Sequence, residues 1–359
     1  MIVVVGAGVV GLASAYALAR RGLPVCVLER HARPGLETST HNSGVVHAGL
    51  YHPQQSLKTR LCHDGRERLY SFCQRHRVPH VKCGKLIVAG PGEEGDLIDL
   101  EKGAAANGVR LEPLTATEVR RREPRIHAAA ALWSGETGWV EAEAFVRALL
   151  DEVVRLEGIV LFGTPIAGVE HAPGDSLVVV TPRERIEAET VINAAGLFAD
   201  DVSALAGGDR FTIYPCRGEY AELAQKARGL INGLVYPVPH ASGHGLGVHL
   251  TRTLQGAVWI GPTIRYQEGK NDYEQNRLPL QDFLEPTRQL LPEVTLDDLR
   301  LAGSGIRAKL HPPTERFADF LIGRDTRVPA LVHAAGIDSP GLTASLAIGE
   351  YVAGLILRA

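Results

Sequence analysis

Three glycines placed between a short apolar run and an alanine-rich segment constrain this chain more than any other feature. The apolar run spans residues 2–5, and the motif Gly6-Ala7-Gly8-Val9-Val10-Gly11 follows it directly. In such a motif the first glycine permits a tight turn, the second lets a phosphate approach the backbone, and the third packs a helix against a strand. Residues 12–21 favour a helix and residues 25–28 a second strand. The pattern therefore predicts a βαβ unit with a buried parallel sheet.

Glu29 ends the second predicted strand, where an acid accepts a hydrogen bond from a ribose hydroxyl of a bound dinucleotide. The positive N-terminus of the first helix suits the pyrophosphate. A glycine motif alone is a weak signal, but here the strand, the helix and the acid all occur at the required places. The sequence thus predicts a dinucleotide cofactor bound by Gly6, Ala7, Gly8, Val9, Val10, Gly11, Glu29 and Arg30.

Three distant turns favour FAD over NAD, because FAD is long and its flavin end needs contacts from remote segments. The turns lie at residues 38–44, 191–196 and 336–343, and each is rich in small or polar residues. The last one begins the final predicted helix, whose N-terminus would stabilise the negative charge of a reduced flavin. The predicted flavin-binding residues are Thr38, Ser39, Asn42, Ser43, Gly44, Val45, Ala195, Gly196, Gly336, Ser339, Pro340, Gly341, Leu342 and Thr343.

The order of the remaining elements predicts an α/β fold with two discontinuous domains. Strands and helices alternate at both ends of the chain, whereas the strand-rich middle is broken by glycine and proline. We expect a Rossmann-like FAD-binding domain and a second domain built on a mixed β-sheet with helices. The predicted FAD-binding domain comprises residues 1–78, 145–208 and 300–359. The predicted substrate domain comprises residues 79–144 and 209–299.

Composition argues against several classes of function. The 38 basic and 41 acidic residues give a net charge of −3 without long runs, so no nucleic-acid partner is expected. No stretch of 18 apolar residues occurs and no basic segment precedes the first apolar run, so we expect neither a transmembrane segment nor export. The 5 cysteines form no CxxC pair and are typical of buried thiols in a reducing compartment. A cytoplasmic protein is expected, with peripheral association with the inner membrane as the alternative.

Motifs far more specific than the glycine pattern occur along nearly the whole chain. They are HNSGVVHAGLY (41–51), SLKTRLC (56–62), CGKLIVA (83–89), INAAG (192–196), CRGEY (216–220), YPVP (236–239), GVHLT (247–251), GPT (261–263), SGIRAK (304–309) and GIDSPGLTASLAIG (336–349). Together they resemble the L-2-hydroxyglutarate dehydrogenase/oxidase family, within the D-amino-acid-oxidase-like group of FAD enzymes. The resemblance implies oxidation of an L-2-hydroxy acid, with L-2-hydroxyglutarate as the first candidate, to the 2-oxo acid by hydride transfer to flavin N5. Oxygen, a quinone or another flavoprotein would then accept the electrons.

An enzyme of that kind has to hold a substrate carboxylate, and two of the motifs contain an arginine. Arginine can bind a carboxylate through two parallel hydrogen bonds, which lysine cannot. Arg217 and Arg307 are therefore the predicted carboxylate clamp. The alternative for each is a structural arginine paired with an acid such as Glu219. The other predicted substrate contacts are Tyr236, Thr251 and Lys309.

The hydroxyl proton needs a base, and histidine is the natural base near neutral pH. His249, on a predicted strand of the second sheet, is favoured over His47, which follows the first flavin turn. A structural histidine is the alternative for both. His41 offers a covalent attachment point for the flavin, because related amine dehydrogenases attach it through a histidine in a similar turn. His240, His244 and His249 together would suggest a metal site, but the segment with Ser242, Gly243 and Gly245 is typical of a loop, and no carboxylate or cysteine completes the set. No metal site is therefore predicted.

Other functions are compatible with an FAD-binding fold. The closest is an amine or amino-acid oxidase on the same scaffold, which would release ammonia together with the 2-oxo acid. A flavin hydroxylase is disfavoured because Gly323-Arg324-Asp325 only loosely matches its Gly-Asp motif, and a disulfide reductase because paired redox cysteines are lacking. A flavin-binding module without turnover is the alternative from a different class, and the presence of Arg217, Arg307 and His249 argues against it.

Overall fold

The computed structural model describes residues 1–174, 176–239 and 247–358. The helices are α1 (Val9–Ala19), α2 (Leu57–His76), α3 (Glu94–Ala106), α4 (Ala116–Arg122), α5 (Ala142–Arg155), α6 (Ala199–Leu205), α7 (Gln281–Leu290) and α8 (Gly341–Leu357). The strands are β1 (Ile2–Val5), β2 (Val25–Leu28), β3 (Val45–Val46), β4 (His80–Val81), β5 (Lys85–Ala89), β6 (Glu112–Thr115), β7 (Ala130–Ser134), β8 (Gly138–Val140), β9 (Ile159–Leu161), β10 (Gly168–His171), β11 (Leu177–Val180), β12 (Arg185–Ala188), β13 (Thr190–Asn193), β14 (Tyr214–Leu223), β15 (Leu234–Pro237), β16 (His249–Arg252), β17 (Val258–Gly261), β18 (Arg265–Tyr266), β19 (Leu299–Lys309), β20 (Leu321–Arg324) and β21 (Leu331–Ala335).

The first sheet is six-stranded, with the order β20-β21-β13-β1-β2-β9. β1 pairs in parallel with β13 on one side and with β2 on the other, and all three strands are buried. The predicted βαβ unit is therefore confirmed. Gly11 packs α1 onto β1 so closely that a Cβ there would lie 1.9 Å from the carbonyl oxygen of Gly6. This contact is the helix–strand packing that the third glycine of the motif predicts.

Helix α1 lies in the core, and all of its residues except Val10 are buried. Its backbone approaches α8 closely, because a Cβ on Gly349 would lie 2.3 Å from the carbonyl oxygen of Ala13. Helix α2 approaches α8 in the same way at Gly65, where a Cβ would lie 2.4 Å from the carbonyl oxygen of Thr343. Of the helices in the described residues, none is long and apolar enough to cross a membrane.

The second sheet has nine strands, ordered β18-β14-β17-β16-β15-β5-β7-β6, with β19 added on β14. Smaller sheets are formed by β10-β11-β12 and by β3-β8-β4. The predicted domain boundary at residue 300 is wrong, because β19 pairs with β14 along almost its whole length and so belongs to the second sheet. The other strands of that sheet lie within residues 79–144 and 209–299.

The loop that follows β2 contacts β19 of the second sheet directly. The Thr38 hydroxyl donates a hydrogen bond of 2.8 Å to the carbonyl oxygen of Ile306. A Cβ on Gly305 would lie only 1.9 Å from the carbonyl oxygen of His41, so the two backbones touch there. This contact joins the loop beside the first sheet to the second sheet.

Two glycines of α8 should respond in opposite ways to alanine. Gly349→Ala forces a methyl group against the α1 backbone and should destabilise the protein by about 1–3 kcal/mol. Gly354→Ala is the matched control, because no atom lies within 4 Å of its added methyl, and it should stabilise the helix by about 1 kcal/mol. Thermal unfolding of both variants measures the effect. Equal melting temperatures would contradict the close contact between the two helices.

Candidate active site

A cavity of about 1010 Å³ is lined by residues of both large sheets. Its wall includes the glycine turn between β1 and α1, the end of β2 at Glu29, the turn that precedes α8 and one face of the second sheet. The predicted cofactor and substrate segments therefore surround one space. Its long outline, from the glycine turn to the second sheet, is what an extended dinucleotide with a substrate at one end requires.

The glycine turn packs so closely against neighbouring segments that a side chain would not fit at Gly6 or Gly8. Gly6 has φ +102°, and a Cβ there would lie 2.7 Å from the carbonyl oxygen of Ala194. A Cβ on Gly8 would lie 2.9 Å from the hydroxyl oxygen of Ser39. The Val9 N–H, in the first turn of α1, donates to the same hydroxyl at 2.9 Å. The turn is thus a cradle of bare backbone at a helix N-terminus, which suits a pyrophosphate.

Glu29 is buried and fixes the glycine turn. Its carboxylate accepts the Ala7 N–H at 2.8 Å and the His31 N–H at 2.9 Å. A carboxylate oxygen has more than one acceptor site, so the group can also accept a hydrogen bond from a ribose hydroxyl. The acid therefore both holds the turn and lines the cavity.

Most of the predicted cofactor residues line the cavity. They are Gly6, Gly8, Val9, Val10, Glu29, Arg30, Thr38, Ser39, Asn42, Ser43, Val45, Ala195, Gly196, Ser339, Pro340, Gly341 and Leu342. Ala7, Gly11, Gly44, Gly336 and Thr343 are not part of the cavity wall, and their contacts with the cofactor stay a prediction. Their side-chain or backbone contacts shape the wall, as the Thr343 hydroxyl does by accepting the His47 N–H at 3.0 Å.

His41 lines the cavity and its ring is held in place. The Nδ1 atom donates to the carbonyl oxygen of Glu37 at 2.9 Å, and the ring lies 4.8 Å from the ring of Tyr273. The other ring nitrogen, Nε2, is not the atom that bonds to Glu37. Covalent attachment of the flavin through His41 stays a hypothesis.

The second sheet presents a row of polar side chains to the cavity. Side chains of a strand alternate between faces, and directly paired residues share a face. Tyr236 of β15 pairs with Ile87 of β5, which puts Lys85 on the same face two residues earlier. The Tyr236 ring stacks on the His249 ring of β16, with centroids 3.5 Å apart. All three polar side chains line the cavity, and Tyr236 and His249 are among the predicted site residues.

Arg307 of β19 reaches the same cavity, whereas Arg217 does not. Arg307 donates to the carbonyl oxygen of Thr263 at 3.3 Å, and within the described residues no carboxylate lies within 4.0 Å of it. The neighbouring strand makes room for its guanidinium at Gly218, where a Cβ would lie 2.8 Å from both terminal nitrogens. Arg307 is thus placed where a substrate anion can meet it.

The prediction of Arg217 as a clamp residue is wrong, and the alternative of a structural arginine is confirmed. Arg217 is fully buried and lies 3.0 Å from the Glu219 carboxylate. Its guanidinium also donates to backbone carbonyl oxygens of the 272–276 loop. Strand alternation explains the error, because Arg217 and Glu219 face away from the side of β14 that carries Gly218. On that far face Glu219 also binds Arg265 and Arg277.

The prediction of Thr251 as a substrate contact is also corrected. Thr251 lies two residues beyond His249 on β16, beside Leu234, and is 1% exposed. It does not line the cavity. Tyr236 stacks on His249, which lies two residues before Thr251 on the same face of β16. The stacked pair therefore lies nearer the cavity than Thr251 does.

A group of charges that the sequence analysis only partly anticipated surrounds Asp338. Lys309 was predicted and lines the cavity, 3.3 Å from the Asp338 carboxylate. Lys58, in the first turn of α2, was missed, although it is buried and lies 2.6 Å from the same carboxylate. Burial alone would raise the pKa of Asp338, but the two lysines outweigh it and hold the pKa below its usual value. Asp338 is therefore ionised, and its single negative charge balances only one of the two lysine charges.

His47 borders the cavity near the N-terminus of α8. Its Nε2 atom lies 3.4 Å from the Ser339 hydroxyl. Burial, with smaller contributions from Lys85 and His52, lowers the pKa of His47 to about 3. The imidazole is therefore neutral throughout the physiological pH range and has an acceptor nitrogen for a proton.

His240 and His244, which the sequence analysis weighed as metal ligands, lie outside the described residues. Among the residues that the structure does describe, no group of three or more His, Cys, Asp or Glu side chains is arranged to hold a metal ion. His249 is described, is 7% exposed, and belongs to the row of side chains on the second sheet.

Comparison with known proteins identifies the fold. Residues 1–355 match the DAO family model, described as FAD dependent oxidoreductase. This chain belongs to that family. An L-2-hydroxyglutarate dehydrogenase of Arabidopsis thaliana mitochondria is 36% identical, over 99% of this chain and 83% of its own length. A Salmonella houtenae L-2-hydroxyglutarate dehydrogenase is 30% identical, over 98% and 91%. The solved structure of FAD-bound L-alpha-glycerophosphate oxidase from Mycoplasma pneumoniae superimposes with a TM-score of 0.90 at 25% identity, covering 99% of this chain and 94% of that one.

FAD is the cofactor of this DAO-family chain, and the predicted choice of FAD over NAD is confirmed. The residues that line the cavity fit an FAD molecule. The bare backbone of the glycine turn and the Glu29 carboxylate suit the adenosine diphosphate part. The small residues Ala195 and Gly196 and the turn before α8 line the remaining length of the cavity.

Removing the negative charge of Glu29 should weaken the binding of FAD. Glu29→Gln keeps the shape of the side chain but weakens its hydrogen bonds to the ribose and to the turn, and should cost about 1–3 kcal/mol of FAD binding. Titration of the apoprotein with FAD measures this. Glu350→Gln is the control, because Glu350 pairs with Arg21 at 2.6 Å on the helical side of the fold. Equal affinities of the two variants would contradict the role of Glu29. Flavin retained by denatured wild-type protein, but released by denatured His41→Ala protein, would support covalent attachment at His41.

Proposed function

We propose that this DAO-family enzyme oxidises an L-2-hydroxy acid, with L-2-hydroxyglutarate as the first candidate, to the corresponding 2-oxo acid. Two relatives that align over nearly the whole chain are L-2-hydroxyglutarate dehydrogenases. The observation that carries the proposal is Arg307, a guanidinium on the cavity wall without a carboxylate partner among the described residues. When bound, FAD supplies the hydride acceptor at flavin N5.

The charges of the cavity wall support an anionic substrate. Lys58 and Lys309 share the single carboxylate of Asp338. Arg307 and Lys85 have no acidic partner within the described residues. The wall therefore carries more positive than negative charge at this end, which favours a substrate with two carboxylates over one with a single carboxylate.

His249 is the proposed base for the hydroxyl proton. Stacking on Tyr236 orients its ring, and its burial keeps water away from the proton transfer. His47 is the alternative, because it is neutral and also borders the cavity. Tyr236 and Lys309 are proposed to contact the substrate from the same wall.

The electron acceptor and the cellular location complete the proposal. Oxygen, a quinone and another flavoprotein are the three acceptor classes, and mixing the reduced enzyme with each in turn distinguishes them. A cytoplasmic location is proposed, with attachment to the inner membrane as the alternative. All 5 cysteines are free, which supports a reducing compartment. Cell fractionation tests the location.

Anaerobic reduction of the flavin tests the proposed substrate. L-2-hydroxyglutarate should bleach the flavin and yield 2-oxoglutarate without ammonia, whereas lactate should reduce it poorly because it has one carboxylate. The corresponding amino acid, L-glutamate, is the matched control for an amino-acid oxidase. Bleaching by glutamate with release of ammonia, and not by the hydroxy acid, would overturn the proposal.

The two arginines should separate catalysis from stability. Arg307→Leu should lower kcat/KM by an amount that corresponds to about 2–5 kcal/mol of lost transition-state stabilisation, because a substrate carboxylate loses its counter-charge. FAD content and melting temperature should stay unchanged. Arg217→Leu should instead destabilise the fold by about 3–5 kcal/mol, because one partner of a buried ion pair is lost. Steady-state kinetics and thermal unfolding of both variants measure these effects. An unaltered kcat/KM in Arg307→Leu would refute its assignment to the substrate.

Replacing the proposed base should slow flavin reduction. His249→Gln should lower the rate of reduction by about 10²–10⁴ while FAD stays bound. His47→Gln is the comparison, and the pKa of His47 puts its own ionisation far below neutral pH. Stopped-flow measurement across pH distinguishes them. A normal rate in His249→Gln with a slow rate in His47→Gln would transfer the role to His47.

A further inference from the structure

Lys85 is a buried lysine that adds to the charge of the cavity wall but has no specific contact in the proposed reaction. It begins β5 and its side chain is 0% exposed, although it belongs to the cavity wall. Its paired neighbour on β7 is Ser134, a neutral hydroxyl already bonded to Thr137. Burial of a lysine without a counter-charge is costly, so its retention at this place calls for a ligand or a partner.

Two tyrosine rings pack against the Lys85 ammonium at the wall of the cavity. The Nζ atom donates a hydrogen bond of 3.0 Å to the Tyr51 hydroxyl. It also lies 4.8 Å from the centre of the Tyr51 ring and 4.3 Å from that of Tyr236. Because the Tyr51 oxygen accepts from Lys85, its own proton is available to donate elsewhere. Tyr51 lines the cavity, so that proton can be directed to a bound molecule.

Among the residues that the structure describes, no negatively charged group faces Lys85 from the elements around it. The titratable groups nearby are Cys62 on α2, His47 and Tyr51 on the loop before it, and Tyr236 on β15. Burial raises the pKa of Cys62 to about 12 and raises the pKa of both tyrosines. The pKa of His47 is lowered to about 3, so all four groups are uncharged between pH 4 and pH 9.

We propose that Tyr51 and Lys85 together receive one carboxylate of the substrate. Tyr51 donates its hydroxyl hydrogen to the carboxylate, and Lys85, directly behind it, supplies the positive charge and takes up a proton from solvent when the anion binds. Arg307 serves the other carboxylate. Tyr51 is the contact residue, and Lys85 is a positioning residue that acts through it. This inference rests on the proposed function, because it requires a dianionic substrate.

The pH dependence follows from the state of the free protein. Burial lowers the pKa of Lys85 to about 7, so below that pH the lysine is already charged and above it mostly neutral. An arriving anion favours the charged form and raises the pKa. Binding is therefore accompanied by proton uptake only above about pH 7, and the affinity for the anion falls as pH rises through that value.

Binding of 2-oxoglutarate to the FAD-loaded enzyme tests the inference, because this product dianion cannot be oxidised further at the site. Flavin absorbance gives Kd, and calorimetry in buffers of different ionisation enthalpy counts protons. Between about pH 6 and about pH 8.5 the wild-type Kd should rise about 30-fold, with uptake approaching one proton at the higher pH. Lys85→Met should bind about 10- to 100-fold more weakly at about pH 6, without proton uptake at either pH.

Three further variants make the test specific. Lys85→Arg keeps a permanent charge and should bind 2-oxoglutarate at about pH 8.5 without proton uptake. Tyr51→Phe keeps the ring and should weaken binding about 10-fold at both pH values. Lys82→Met is the control, because Lys82 is 47% exposed and pairs with Glu136 at 2.8 Å, and it should behave as wild type. FAD content verifies that each variant is folded.

The outcomes separate this inference from the proposed function. If L-2-hydroxyglutarate bleaches the wild-type flavin but Lys85→Met retains the wild-type Kd, pH profile and proton uptake, the role of Lys85 is overturned and the proposed function stands. If the wild-type enzyme neither bleaches with L-2-hydroxyglutarate nor binds 2-oxoglutarate, both fail. Loss of binding in Lys85→Met that Lys85→Arg restores supports the inference.

Discussion

Successive side chains of a strand point to opposite faces of the second sheet, and this alternation decides which charged side chains can contact a substrate. On β14, Arg217 and Glu219 face away from the cavity and form a buried ion cluster with two further arginines. Gly218, between them, leaves room for Arg307 on the cavity face. A slip of one residue would exchange the two faces and expose the buried acid. The ion cluster therefore specifies the register on which the cavity wall depends.

The cofactor end of the site can be predicted from sequence because its parts have local causes. The glycine spacing follows from close backbone contacts within one βαβ unit, and Glu29 lies at the end of the next strand. The turn before α8 is likewise defined by its own residues. Gly11 and Thr343 are not part of the cavity wall but contact residues of it, and a local pattern does not distinguish a wall residue from one that supports it.

The substrate end depends on long-range pairing and was only partly predictable. Arg217 and Arg307 both occur in motifs, and only the register of β14 against β19 shows that they face opposite ways. The domain boundary at residue 300 was misplaced for the same reason. Lys58 and Lys85 resemble ordinary surface lysines in the sequence, because burial among tyrosines or against Asp338 arises only when distant segments meet. For Lys85 the sequence offered one indication of burial, which is that this lysine begins a strongly apolar strand.

The backbone contact between Gly305 and His41 limits how far apart the two walls of the cavity can lie. A Cβ on residue 305 would lie 1.9 Å from the His41 carbonyl oxygen, so any other residue there would push the second sheet away from the cofactor loop. Because Gly305 and His41 both line the cavity, that displacement would widen the space between flavin and substrate. This one glycine therefore contributes to the spacing on which hydride transfer depends.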